Sequence, residues 1–162
     1  MKRHAAPSVL LFSLAIAVGQ AQPSTGTLAG RVYAIAKGGD IKPARLAHVF
    51  VASGDDQAAL QQNVDRALAK RLEDIKNNTD AQGACLIASM SIREAVKSGS
   101  NIQTVDTDED GSFDLHKLTA GTCAIVVMGA ANGYQSVWYL ITTVTAGKRQ
   151  KVKMSEPVLA CE

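Results

Sequence analysis

The chain has 162 residues, 46% hydrophobic but only 4% aromatic, with 17 Lys and Arg set against 15 Asp and Glu. That length suits one domain able to bury roughly two-thirds of its unfolded surface. The near balance of charge argues against a protein built to hold nucleic acid or an acidic membrane surface.

The chain opens Met1-Lys2-Arg3, runs apolar from Ser8 to Val18 and continues Gly19-Gln20-Ala21. A charged start, a short apolar run and small residues before a cut predict a secretory signal over residues 1–21. The apolar run, about 11 residues, is well short of the roughly 20 that span a bilayer. Lys2 and Arg3 leave with such a leader, so fifteen cations would face fifteen carboxylates. No cysteine precedes Cys85, which removes an N-terminal lipid attachment. The expectation is an exported single domain over 22–162, periplasmic or extracellular, with no stable membrane insertion after cleavage and no nucleic-acid partner.

Residues 26–53 carry two strand-like runs, Arg31 to Ala36 and Ala47 to Ala52. Both are rich in β-branched and aromatic side chains and are separated by a Gly-Gly-Asp loop with Pro43. Residues 55–98 change character. Leu60, Val64, Leu68, Leu72 and Ile75 recur every three or four positions, the spacing of one helix face. Ser53 or Asp55 is placed to cap this helix, Asn77 to Asp80 breaks it, and Thr79 or Asp80 caps a second one. There Cys85, Ser89, Ile92 and Val96 share a face, and Gly99 is the stop. A helical hairpin set between strands is predicted.

Strand texture returns from Asn101, with runs at Ile102 to Val105, Phe113 to Leu115, Cys123 to Ala130, Ser136 to Thr145 and Arg149 to Val158. Turn pairs at Asp110-Gly111, Ala120-Gly121, Asn132-Gly133 and Ala146-Gly147 separate them at the rhythm of an antiparallel sandwich. Within the run at 123–130, Cys123, Ile125 and Val127 alternate with Ala124, Val126 and Met128, so both faces are apolar. Val137, Tyr139 and Ile141 against Trp138 and Leu140 repeat the pattern. A sheet covered on both sides produces it, and the hairpin of 55–98 is expected to lie across the outer face.

Three cysteines in an exported chain allow one disulfide and one leftover thiol. Cys123 falls on a core face as a small buried hydrophobe, which makes Cys85 and Cys161 the disulfide candidates. The odd count leaves a covalent dimer open. With no Cys-x-x-Cys or Cys/His cluster, neither a metal nor any other cofactor is expected.

Little else in the chain suggests chemistry. Asp106, Asp108, Asp110 and Gly111 imitate the opening of a calcium loop, but Lys117 stands where a bidentate Glu is needed, and the flanks are strands. An acidic hairpin turn is the simpler expectation. His48 and His116 sit on strands with no nucleophile at a telling spacing, and no hydrolase, metalloprotease or phosphate-loop motif occurs. A non-enzyme is expected.

The ordered set Gly26 to Val32, Ala47-x-Val-x-Val51, Thr107 to Leu115, Leu118 to Thr122, Val126-x-x-x-Ala130, Gly133-Tyr134 and Val144-x-x-Gly147 resembles the carboxypeptidase regulatory-like domain. The likeness covers 26–53 and 101–154. It departs at the helical insertion, at Cys123 in place of the usual Tyr, and at Thr119-Ala120 in place of Pro-Ala. The resemblance implies a seven-stranded Ig-like/transthyretin-like antiparallel sandwich, in a wider group with a carbohydrate-binding-like (starch-binding-like) fold. It also implies a non-catalytic accessory or interaction module, with a protein or a glycan as partner. For a glycan, the aromatic candidates are Trp138 and Tyr139, which point to opposite faces of one strand. Tyr134 is expected to pack its ring and satisfy its hydroxyl on the backbone. Two readings therefore compete: an interaction module whose hairpin carries apolar side chains beyond those needed for docking, and a glycan binder with an exposed Trp138 or Tyr139.

Overall fold

The computed structural model describes residues 24–78 and 80–161. The predicted signal over 1–21 lies outside the described residues, as does Thr79.

Two β-sheets face each other, and the helical hairpin covers the outer side of one of them. The strands are β1 (Thr25–Ile35), β2 (Ile41–Pro43), β3 (His48–Ser53), β4 (Ile102–Asp106), β5 (Ser112–Thr119), β6 (Gly121–Ala131), β7 (Tyr134–Val144), β8 (Arg149–Met154) and β9 (Leu159–Cys161). The helices α1 (Asp55–Lys76) and α2 (Ala81–Ser98) lie between β3 and β4. The first sheet joins β2, β1 and β5 antiparallel, with β8 added to β1. The second sheet runs β4-β3-β6-β7-β9, every pair antiparallel. This is the mainly β sandwich with an inserted helical hairpin that the sequence points to.

Seven of the strands are five residues or longer, and β2 and β9 add three residues each. Two features depart from the sequence pattern. The β1–β8 pairing is parallel, pairing Thr27 with Arg149 and Val32 with Met154. The last strand run also does not continue to Val158. It ends at Met154, crosses near Pro157, and resumes as β9 on the other sheet beside β7. Proline lacks the N–H a sheet ladder needs, so a change of sheet there leaves no ladder bond unmade.

The space between the sheets is filled by Leu28, Val32, Val49, Val51, Leu115, Leu118, Ile125, Val127 and Trp138. A second apolar cluster lies on the far side of the second sheet. It joins Ala124, Val126, Met128 and Val137 to Leu60 and Val64 of α1, Ile92 and Val96 of α2, and Leu159 of β9. Each of the Val, Leu, Ile and Met side chains contributes about 1.5–3 kcal/mol when fully buried. The doubly apolar strands β6 and β7 therefore have a core on each side, and the molecule has three layers.

Local chemistry fixes the ends of the elements. Asp80 caps α2, its Oδ1 accepting from the Gly83 amide at 2.8 Å. At α1 the cap is Gly54, without a side-chain hydrogen bond, rather than Ser53 or Asp55. Asp56 in its first turn instead accepts from the Asn101 amide, tying the start of α1 to the approach to β4. The apolar stripe of α1 is buried as far as Ala67, while Leu72 is exposed. Gly111 in the acidic turn has φ 75°, and a Cβ there would meet the Val32 carbonyl oxygen, so only glycine fits.

Candidate functional site

Trp138 is 0% exposed and belongs to the core between the sheets, with its Nε1–H donating to the Tyr33 carbonyl at 3.1 Å. Tyr139 points the other way, into the layer beneath the hairpin. Its hydroxyl is buried without a hydrogen-bond partner, and burial, then Asp65, pushes its pKa up to about 12. Trp138 offers no open face to a pyranose, which corrects the expectation of a sugar platform there, while Tyr139 is partly buried with its hydroxyl end packed away from solvent. The cause is that strand β7 is covered on both sides, so that opposite facing places Trp138 in the core between the sheets and Tyr139 against the cluster beneath the hairpin. Tyr134 is the exposed ring, at 40%, rather than a packed one.

Cys85 and Cys161 are joined by a disulfide, their Cα atoms 5.5 Å apart. The bond fastens β9 to α2 and so pins the hairpin to the sheet. Cys123 is buried with a free thiol, its pKa raised to about 11 by desolvation. A thiol held so far from ionisation is a poor nucleophile.

The acidic turn uses its carboxylates internally. Asp108 Oδ1 accepts from the amides of Asp110 and Ser112 at 2.9 and 2.8 Å. Asp106 contacts His48 Nδ1 at 2.6 Å on the second sheet, while His116 faces Asp114 on the first. The two histidines therefore stand on different sheets, each beside a carboxylate.

A concavity of about 550 Å³ runs along the hairpin between α1 and α2. Ala67, Ala84, Ala88 and Ala95 form its floor, Arg66, Lys70 and Arg71 stand on the α1 side, and Ile87, Ser91 and Glu94 on the α2 side. Lys70 donates to Asp74 at 2.9 Å, and that hydrogen bond raises its pKa. Arg71 Nε is buried without a partner. Around the hairpin, Leu72 is 57% exposed, Leu86 40%, Ile87 47% and Met90 65%. Helical periodicity marks the inward stripe of α2 but not Leu86, Ile87 and Met90, which fall off it, while Leu72 belongs to the predicted stripe of α1 and is nevertheless exposed.

No protein-family model matches the chain, and no curated protein matches it. Among solved structures, a Pseudomonas aeruginosa protein proposed to bind carbohydrate aligns over 85% of this chain and 92% of its own, at 18% identity and a TM-score of 0.52. At that identity the likeness concerns the fold. The minor pilin of Streptococcus agalactiae aligns over 83% of this chain and 44% of its own at 12% identity, with a TM-score of 0.46. The pilus backbone protein of Streptococcus pneumoniae aligns over 80% and 41% at 16% identity, with a TM-score of 0.35. Nothing is drawn from those two at such scores. The architecture shared with the Pseudomonas aeruginosa protein is a β-sandwich.

Proposed function

We propose that this chain is an exported, non-catalytic interaction module of the carboxypeptidase regulatory-like type, whose helical hairpin is the face offered to a protein partner. The observation that carries this reading is the surplus of apolar side chains on the hairpin. Leu60, Val64, Ile92 and Val96 already serve the contact with the sheet, yet Leu72, Leu86, Ile87 and Met90 stand in solvent. Scattered single apolar residues need no explanation, but Leu86, Ile87 and Met90 fall within five residues of α2, and Ile87 lines the groove. The Cys85–Cys161 disulfide supports an oxidising compartment. Among the described residues no helix is long and apolar enough to cross a membrane.

The test places a photoactivatable phenylalanine analogue at Met90 and, separately, at Lys37 on the loop after β1, in the producing cell. Adducts of one discrete mass from position 90, absent from position 37 and lost in Ile87→Asp, are expected. Equal adducts from both positions, or none from position 90, would contradict the proposal.

A further inference from the structure

The outer face of the first sheet is a second exposed surface, of opposite character. Because alternate residues of a strand share a face, the registers of β1 with β5 and β8 place three rows there. Thr27 lies beside Arg149, Ala29 lies between Asp114 and Lys151, and Arg31 lies between Ser112 and Lys153. The four cations are all exposed. Ala29 is the short residue in the central strand, and it leaves a shallow depression of about 460 Å³ with Arg31, Arg149, Lys151 and Lys153 around it. One carboxylate, Asp114, lies in the group and pairs with Arg149, and Arg31 Nε donates to the Asp110 carbonyl. Among the described residues Lys151 and Lys153 have no ion pair. A chain whose formal net charge is only +2 thus gathers a surplus of three positive charges on one sheet face.

We propose that this face binds an acidic polysaccharide, a chain of repeating uronate carboxylates. This goes beyond the hairpin proposal, concerns the opposite side of the molecule and stands or falls separately from it. Charge complementarity gives the sign of the ligand. The spacing gives its kind: Arg149, Lys151 and Lys153 on β8 repeat about every 6.6 Å along the strand, and Lys153 lies about 4.8 Å from Arg31, the one cation of β1, held by the backbone ladder rather than by flexible loops. A rigid periodic array suits a stiff periodic polyanion, which loses little conformational freedom on binding. Arginine at two corners matches carboxylates with its planar fork, while lysine supplies point charge. Single-stranded nucleic acid would call for a series of open aromatic stacking platforms, whereas Phe113 at the depression is 6% exposed and Tyr33, two residues beyond Arg31, is only half-buried. A membrane surface would call for an apolar fringe to insert; the exposed Ile35 and Ile41 pair at the far end of β1, beyond Arg31 and away from Arg149 and Lys151, so the vesicles in the test separate that reading from a polysaccharide.

Polygalacturonate is the probe, titrated calorimetrically against the folded chain, with dextran as the neutral polymer. Phosphatidylglycerol vesicles and a thymidine oligonucleotide serve as competing polyanions. Binding to polygalacturonate is expected, weakening at least about 10-fold between about 20 and 300 mM salt as screening sets in. Lys151→Glu/Lys153→Glu is expected to weaken it about 10-fold or more. Lys37→Glu/Lys76→Glu, with the same change in net charge elsewhere, should cost less than about 2-fold. If the first variant fails to fold, Lys151→Gln/Lys153→Gln carries the same test with a loss of about 3-fold. No binding at low salt, equal losses in both charge variants, or tighter binding to the vesicles or the oligonucleotide would overturn the proposal.

Discussion

The two sheets each present an outer face, and the two faces have been treated in opposite ways. On the second sheet, Ala124, Val126 and Met128 turn outward and lie dry beneath α1 and α2. On the first, the outward positions are Arg31, Arg149, Lys151 and Lys153, and they stand in solvent. The lesson is that the hairpin is not an ornament on a finished sandwich. The second sheet could not stand in water without it, because its outer side would expose a large contiguous apolar patch. The first sheet needs no roof, and its outer face is left available for a ligand.

The largest expected contrast between the faces comes from one charge placed on each. Val126→Asp buries an unpaired carboxylate under the hairpin and is expected to cost about 4 kcal/mol or more, enough to unfold the chain. Lys151→Asp on the open face should stay within about 0.5 kcal/mol. Urea unfolding of the two variants makes the comparison, and a tolerated Val126→Asp would show that the hairpin does not seal its sheet. Next in size is the disulfide. Replacing Cys85 and Cys161 by Ala together should lower stability by about 2–4 kcal/mol through release of the chain between them, measurable as a lower urea midpoint that added reductant no longer shifts. Asp80→Ala removes the cap of α2 and should cost about 1 kcal/mol, seen as a lower midpoint and faster exchange in the first turn of that helix.

The smallest effect belongs to Tyr139. Its folded pKa, up to about 12, lies above its ordinary value of 10.0. The stability tied to its neutral form is therefore complete below pH 10 and drains away as pH rises through 10 toward 12. Tyr139→Phe should flatten that part of the alkaline unfolding curve. At neutral pH it should leave stability unchanged or slightly higher, since the lost hydroxyl has no partner. An unchanged alkaline limb in Tyr139→Phe would place the titration elsewhere.

Much of this architecture was legible in the sequence, for reasons of period. The spacing of three and four over 55–98 marks the hairpin, and the two interleaved apolar sets of β6 state that this strand is covered twice. What period-2 reading cannot do is separate two apolar faces, so Trp138 and Tyr139 were both eligible for exposure and neither is exposed. Strands of three residues, β2 and β9, carry too little pattern to be seen, and the parallel β1–β8 contact joins segments more than a hundred residues apart. The same separation hides the cationic face: Arg31 meets Lys153 only after folding, and a balanced composition conceals that the balance is uneven in space. The groove between α1 and α2 is legible in half, since the inward stripe announces itself and the outward Ile87 does not.

Native-state hydrogen exchange bears most directly on the claim that the hairpin is a structural layer of the second sheet. If it is, the amides of Leu60, Val64, Ile92 and Val96 exchange through the same global opening as those of Val126 and Met128, with opening free energies that converge as denaturant is added. Hairpin amides exchanging through a separate opening of far lower free energy, while β6 stays protected, would mean that the helices are an appendage and that the second sheet is stable without its roof.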